Sequence, residues 1–301
     1  MQCLSVELSL TAFTDKTGAV TGVLVKGKHS GLYQINAKAV VLATDGIGAN
    51  AKLVRLRPDI SADVKTSNQP GSQGDGMVLA QKIGASVTDA KESELNPTLL
   101  AGSPVIVSET VRGARAVFVN KEGKRFISEL STRDVTSAAV SKQTGGVAYE
   151  IFDQKVRNKV KQTGATFELG LAKEGNTIHE LAAAAGIDLD NLEKTMTDYN
   201  RYAENGKDPE FHRPDGFPKV DKPKYYAIEI TPAIHYYMGG LTIDGKTRVI
   251  NTKGQPIKGL FAAGEVTGGV HGKNRLGGNS ISETITFGRI AGTQAVKAVK
   301  Q

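Results

Sequence analysis

The chain is 301 residues long, with 38 basic against 31 acidic side chains, a net charge of +7, and 6% aromatic residues. Lys and Arg are dispersed rather than massed, which argues against a nucleic-acid partner and leaves a surplus suited to an anionic ligand. Cys3 stands alone, so neither an internal disulfide nor a thiolate metal cluster is available, and no apolar run reaches the ~20 residues of a membrane span.

At this length two domains are expected. The opening "MQCLSVELSLTAF" alternates like a strand and lacks a basic n-region, so it is not expected to be a signal peptide. Residues 4–44 read as strands throughout. "LSVELSLTAF" and "VTGVLVKG" flank the turn "TDKTGA", and "GLYQINAKAVVLAT" passes into the continuous apolar run of a buried strand. That strand delivers into "ATDGIGANA", where Gly46, Gly48 and Ala51 form a GxGxxA pattern. A self-sufficient dinucleotide fingerprint needs a long helix after its glycines and an acid at the end of a later strand. Here "AKLVRL" stops at Pro58, so the loop is expected to make a secondary contact with a cofactor whose main loop lies elsewhere. "GDGMVLAQKIGA" predicts a better helix, with Asp75 at its mouth and Gly84 at its end.

Residues 93–219 differ in texture. "RAVFVNKEGKRFI" predicts a hairpin turning on Glu122 and Gly123, and "HELAAAAGIDLDNLEKTMTDYNRYAENG" two helices joined near Gly186. The polar, proline-dotted "GKDPEFHRPDGFPKVDKPK" is expected to mark a boundary. Beyond it, "YYAIEITPAIHYYMGGLTID" and "GLFAAGEV" return to buried-strand character, and "GNSISETITFGRIAGTQAVKAVK" closes the chain as a long helix. The layout is α/β: a nucleotide-type domain over 1–92 and 220–301, interrupted by an inserted α+β domain over 93–219.

The stretch "GLFAAGEVTGGVHGKNRLGGNSISE" runs a buried strand into Glu265, then through crowded glycines around Arg275 to a helix start. Glu265 at a strand end is placed to accept ribose hydroxyls. Free N–H groups around Asn279, Ser280 and Ile281 favour an anionic or electron-rich group, and glycines permit close backbone approach. No pair among the five histidines has metal-ligand spacing, so no metal is expected. His29, His179, His212 and His271 read as loop or surface residues.

Together, "ATDGIGAN", "GSQGDGM", "SETVRGARAVFVNKEGKRFISELSTRD", "HYYMGG", "AAGEVTGGVHGKNRLGGNS" and "FGRIAG" resemble the FAD-dependent fumarate reductase flavoproteins, the soluble flavocytochrome c type above all. The resemblance implies a Rossmann-like FAD domain with an inserted capping domain. It also implies that the pyrophosphate-binding GxGxxG part lies outside this sequence, so the FAD domain is expected to be incomplete at its N-terminus. Cofactor contacts are implied for Thr44, Asp45, Gly46, Gly48, Asn50, Asp75, Tyr236, Glu265, Asn279, Ser280 and Ile281. Asp45 stands where the family usually has Gly or Asn. It tolerates a left-handed turn, but its carboxylate would repel a pyrophosphate.

The chemistry implied is reduction of an activated C=C bond: a hydride from reduced flavin, a proton to the other carbon, and a grip on the substrate carboxylates. His235, Arg275, Ser108, Glu109, Asn96 and Gly278 would contact substrate, Arg275 bidentately. Asn96 replaces a His of the flavocytochrome type and carries no charge. Arg133 in "STRD" matches the proton donor, and Arg112 and Glu109 in "SETVRG" the relay that reprotonates it. A guanidinium pKa above 12 makes Arg133 an unusual acid, and His235 is the second choice for that role. The ordinary reading of Arg133 is a surface ion pair with Asp134, and of His235 a core histidine. Arg133, His235 and Arg275 are expected to converge on a small dianion, most simply fumarate. A urocanate- or acrylate-type acid, or a catalytically inert fragment, stays open. An electron donor is implied as a haem domain, a reduced flavin protein or a quinol-linked partner. The lone Cys favours the cytoplasm, and flavocytochrome relatives leave the periplasm open.

Overall fold

The computed structural model describes residues 11–27, 31–54, 64–214 and 216–300. The expected strand before Thr11, His29 and the stop at Pro58 lie outside them. The chain forms two compact units: Met1–Asp63, Asn68–Glu94 and His235–Gln301 in the first, Val64–Ser67 and Leu95–Ile234 in the second.

The first unit opens on an antiparallel meander of β1 (Thr11–Thr14), β2 (Val20–Gly27) and β3 (Gly31–Asn36), with Thr11 opposite Leu24 and Leu24 opposite Gln34. Asp15 closes its first turn by accepting from the N–H groups of Thr17 and Ala19. β4 (Val40–Leu42) and the single turn α1 (Ala51–Val54) follow. The chain then visits the second unit as β5 (Lys65–Thr66) and returns for α2 (Asp75–Lys82) and β6 (Val87–Thr88). Asp75 opens α2 and Gly84 follows its end at φ 89°, as the sequence predicts.

β7 (Ser93–Leu100) leads into the second unit, where α3 (Glu109–Ala114), β8 (Val117–Val119), α4 (Arg133–Ser141), β9 (Ala148–Asp153), α5 (Gln154–Lys159), α6 (Gly164–Glu168), β10 (Ala172–Gly175), α7 (Ile178–Ala185) and α8 (Leu189–Glu204) precede the long β11 (Tyr225–Tyr237). The sheet runs β10-β11-β9-β8, with β5 and β7 also pairing β11. Its strands are apolar on both faces, because helices cover both. Phe118, Ala148, Phe152 and Ile228 pack with Val111 of α3, Val140 of α4 and Val156 of α5. Val117, Val119, Tyr149 and Ile151, alternating with them, pack with Leu181 of α7 and Leu192, Met196 and Tyr199 of α8. Gly186 joins those two helices in the left-handed conformation. The expected hairpin keeps its turn, with Gly123 N–H donating to Asn120, but its return limb makes only the isolated bridge Val119–Arg125 because β8 pairs with β9 instead.

The first unit resumes with β12 (Gly240–Leu241), β13 (Arg248–Ile250), β14 (Pro256–Ala262) and the closing helix α9 (Asn279–Lys300). β14 lies parallel to β4, Phe261 opposite Val41, and α9 packs Ala291 and Phe287 against Phe261 and Ala263. The second unit ends at Ile234, within β11. Tyr225–Ile230 of β11 pair with β9 and Tyr225–Ile228 with β10, which ties that part of the strand to the second unit. The stretch "GKDPEFHRPDGFPK" is not a linker: Asp208 and Arg213 within it are buried in ion pairs with Arg125 and Glu129.

Candidate active site

In the second unit, α3 and α4 begin with the residues that matter. Glu109, the first residue of α3, presents its carboxylate to two guanidiniums. Arg133 grips it bidentately, Nε to Oε1 and Nη2 to Oε2, both at 2.8 Å, and Arg112 Nη2 reaches Oε1 at 2.5 Å. Hydrogen bonds from Arg133, reinforced by both positive charges, hold the Glu109 carboxyl down to about 2 against the opposing effect of burial. Arg133 is 8% exposed and opens α4, where the helix's positive end disfavours a cation, so the pair with Glu109 must offset that cost. Arg133 is buried against Glu109 while Asp134 is exposed, so Arg133 itself is not a surface residue. Arg112 is fixed by the carbonyls of Glu129 and Ser131, and its own carbonyl accepts from Arg213. Arg213 and Arg125 share the buried carboxylate of Glu129. The sequence analysis missed this supporting layer, whose acids and bases are 83 and 84 residues apart in the chain.

Two other expected substrate contacts lie in this unit. Ser108 caps α3, accepting from Thr110 N and donating to Thr110 Oγ1, so its hydroxyl is committed locally. Asn96 on β7 is fully buried; its carbonyl accepts from Thr98, and its amide nitrogen has no partner among the described residues. Glu150 on β9, which no pattern in the sequence singled out, is also fully buried, with neither oxygen hydrogen-bonded among the described residues. Burial pushes its carboxyl up to about 8, with Arg112 the charge that opposes the rise.

The first unit gathers a second set around a cavity of about 630 Å³ lined by Asp45, His235, Tyr236, Glu265, Arg275 and Ser280, among others. β11 supplies His235 and Tyr236, and the glycine loop before α9 supplies Arg275. The Arg275 guanidinium lies 4.5 Å from the Tyr236 ring centre, and His271 packs edge-on to the same ring. His271 lies in the loop, half-buried. Burial, and then the charge of Arg275, lower its pKa, and its Nε2 is buried without a partner among the described residues. Arg275 Nη2 donates to Glu94 at 3.0 Å, an acid that "KESELNPT" did not flag.

Glu265 accepts from Tyr237 N–H at 2.8 Å and faces Asp45. Burial and that neighbouring carboxylate push Glu265 up to about 8, so at neutral pH it holds a proton. Burial also acts to raise Asp45, but hydrogen bonds from Ser72, Gln69 and Gly46 outweigh it and keep Asp45 ionised. Asp45 adopts φ 65°, the left-handed turn expected of it. A Cβ on Gly46 would lie 2.5 Å from Glu265 Oε1, so only glycine lets the two loops meet. Gly48 approaches Asn68 in the same way. Thr44 Oγ1 is buried without a partner among the described residues.

Of the other expected cofactor contacts, Asn50 caps α1 and donates to Gln73 O, and Asp75 is exposed; Gly278, expected to contact substrate, is exposed too. At the start of α9 the N–H groups of Asn279 and Ile281 donate to Leu276 O and Gly278 O, so the free donors expected there are reduced by the loop's own turns. Among the described residues no cluster of His, Cys, Asp and Glu could hold a metal, and no helix is long and apolar enough to cross a membrane.

A family model described as FAD binding domain matches residues 4–281. The chain belongs to that family. FAD binding domain proteins like it include the fumarate reductase (cytochrome) of Shewanella frigidimarina, 46% identical over 288 residues, 95% of this chain and 50% of that protein. The NADH:acrylate oxidoreductase of Vibrio harveyi is 40% identical over 269 residues, 85% of this chain and 26% of that protein. A flavocytochrome c3 fumarate reductase solved in an open conformation superposes with a TM-score of 0.81 at 45% identity, covering 96% of this chain and 51% of that one. The chain thus spans about half the length of the curated relatives it matches. The first unit's cavity fits the family's cofactor. It is large enough for a fused ring system, is walled by Asp45 and the Gly264 turn, and is lined by Arg275, whose buried Nε lacks a partner among the described residues.

Proposed function

We propose that the chain carries the substrate-reducing machinery of an FAD-dependent reductase of small unsaturated dicarboxylates, with fumarate to succinate the leading case. The observation that carries this reading is the Arg133–Glu109–Arg112 array, two buried guanidiniums on one half-buried carboxylate. Two guanidiniums sharing one carboxylate form a chain along which a proton can pass, a device that surface ion pairing does not require. FAD, when bound and reduced, supplies the hydride. Tyr236, Glu265, Asp45 and Ser280 would hold it in the first unit's cavity.

His235 and Arg275 bind a substrate carboxylate, drawing negative charge toward themselves as the C=C bond is reduced. Arg133 gives its Nη proton to the second carbon, and Glu109 carries the replacement proton from Arg112. A guanidinium gives up a proton at neutral pH only if the loss is brief and another proton arrives as it leaves, which the bidentate contact with Glu109 provides for. The electron donor is a separate domain or protein carrying haem, flavin or quinol.

The test is spectroscopic and kinetic. Flavin bands in the protein incubated with FAD, and fumarate-dependent oxidation of a reduced dye, are the expected results. Arg133→Ala should lower turnover at least 100-fold with the flavin spectrum retained. A rate that survived this change would remove Arg133 from its role, and a protein that takes up no flavin would defeat the reading.

A further inference from the structure

Arg275 has five N–H donors in a planar fork, and the structure already engages part of that fork. Nη2 donates to Glu94 Oε1 at 3.0 Å and Nη1 to Leu276 O at 3.3 Å, while Nε has no partner among the described residues. The side chains of Arg275 and Glu94 are 3% and 1% exposed. Among the other described groups near Arg275, Tyr236 offers its ring face, His271 is held toward its neutral form by burial, and Glu265, which also feels the Arg275 charge, is pushed up by burial. The positive charge meant for a substrate carboxylate is therefore matched by an internal carboxylate before any substrate arrives.

We propose that Glu94 is a specificity-determining residue, an internal counter-charge on Arg275 that makes the site discriminate less by charge and admit monoanionic unsaturated acids beside diacids. This rests on the reading that Arg275 binds a substrate carboxylate. The argument is electrostatic. Nε and the second Nη2 hydrogen still offer one edge of the fork, so a carboxylate can be gripped. A ligand also feels the Glu94 charge in proportion to its own, so a dianion is penalised about twice as strongly as a monoanion. Steric competition for Nη2, by contrast, would tax both acids alike, and the ratio of their affinities isolates the charge effect.

Glu94→Gln keeps the side-chain length and an acceptor for Nη2 while removing the charge. Binding of succinate and of butyrate, measured by calorimetry, should tighten about tenfold and about threefold respectively, so that the preference for the diacid widens. Glu94→Asp, which keeps the charge, should leave that preference as in the parent. The same widening is expected between fumarate and crotonate in kcat/KM. An unchanged ratio, a weakening of both acids together, or binding of neither acid to either protein would overturn the proposal. Weakening of both would mean that Glu94 positions Arg275 instead. No turnover with the binding ratio still widened would sink the reductase reading alone, and turnover with an unchanged ratio would sink only the role of Glu94.

Discussion

Glu109 and Glu150 both feel the charge of Arg112 and are shifted in opposite directions. Glu109, held down to about 2, binds fewer protons folded than unfolded. Its contribution to stability is complete above the ordinary value of 4.5 and drains away as pH falls toward about 2. Glu150, raised to about 8 by burial, keeps its proton in the folded chain while the unfolded chain releases it above 4.5. Stability is therefore fully present below 4.5 and lost as pH rises through about 8. Urea unfolding should separate the two. Glu150→Gln is expected to flatten the decline between pH 5 and 9, and Glu109→Gln to flatten the loss below pH 4. Were Glu150→Gln to leave the alkaline decline unchanged, Glu150 would have to be ionised in the fold, its charge balanced by Arg112. The sheet gives Glu150 no other balance, since its cross-strand partners Phe118 and Ile228 are apolar.

At the level of elements, the periodic segments were legible and the ion-paired ones were not. α7 and α8 lie where the apolar spacing and Gly186 put them, and α2 and α9 start where their caps and glycines predict. The turn at Gly123 was legible too, but its partner was not. Gly123 at φ 72° lies against the N-terminus of α8, where a Cβ would sit 2.6 Å from Asp188 O and 2.7 Å from Leu192 N. Gly123→Ala should cost about 2 kcal/mol or more, since it adds left-handed strain to a backbone collision, and a thermal melt measures it. A loss within error would mean that α8 can shift away. Site residues divide in the same way. "SETVRG" and "STRD" announce Glu109, Arg112 and Arg133 because a motif carries them. Glu94, Glu150 and His271 stand in unremarkable strand and loop sequence; burial reveals the two acids, and the contact with the Tyr236 ring reveals the histidine. Arg213 looked like part of a linker because its neighbours are polar and proline-rich. A buried ion pair needs only one partner at the right place, and sequence spacing gives no hint of one 84 residues away.

For the whole molecule, the inserted unit contains what its own folding needs. Both apolar layers on its sheet are built from residues between Leu100 and Ile230. The Glu109 array and the Arg125–Glu129–Arg213–Asp208 network also fall within Leu95–Ile234. Its entry strand β7 pairs with its exit strand β11, so the two ends of the excised segment lie side by side and closing them costs little entropy. Only the two-residue β5, which pairs with Ala233 and Ile234, would be lost. A polypeptide of residues 95–234 is therefore expected to fold alone, with one cooperative thermal transition and dispersed amide resonances. It should keep the acid-side stability loss that Glu109→Gln removes, because Arg112 and Arg133 come with it. A collapsed product that binds a hydrophobic dye and shows no cooperative melt would mean that the first unit contributes to the core of the second. The exposed apolar side chains on and beside α9, among them Leu276, Ile281 and Ile285, belong to the first unit, so the excised segment should also be the more soluble of the two.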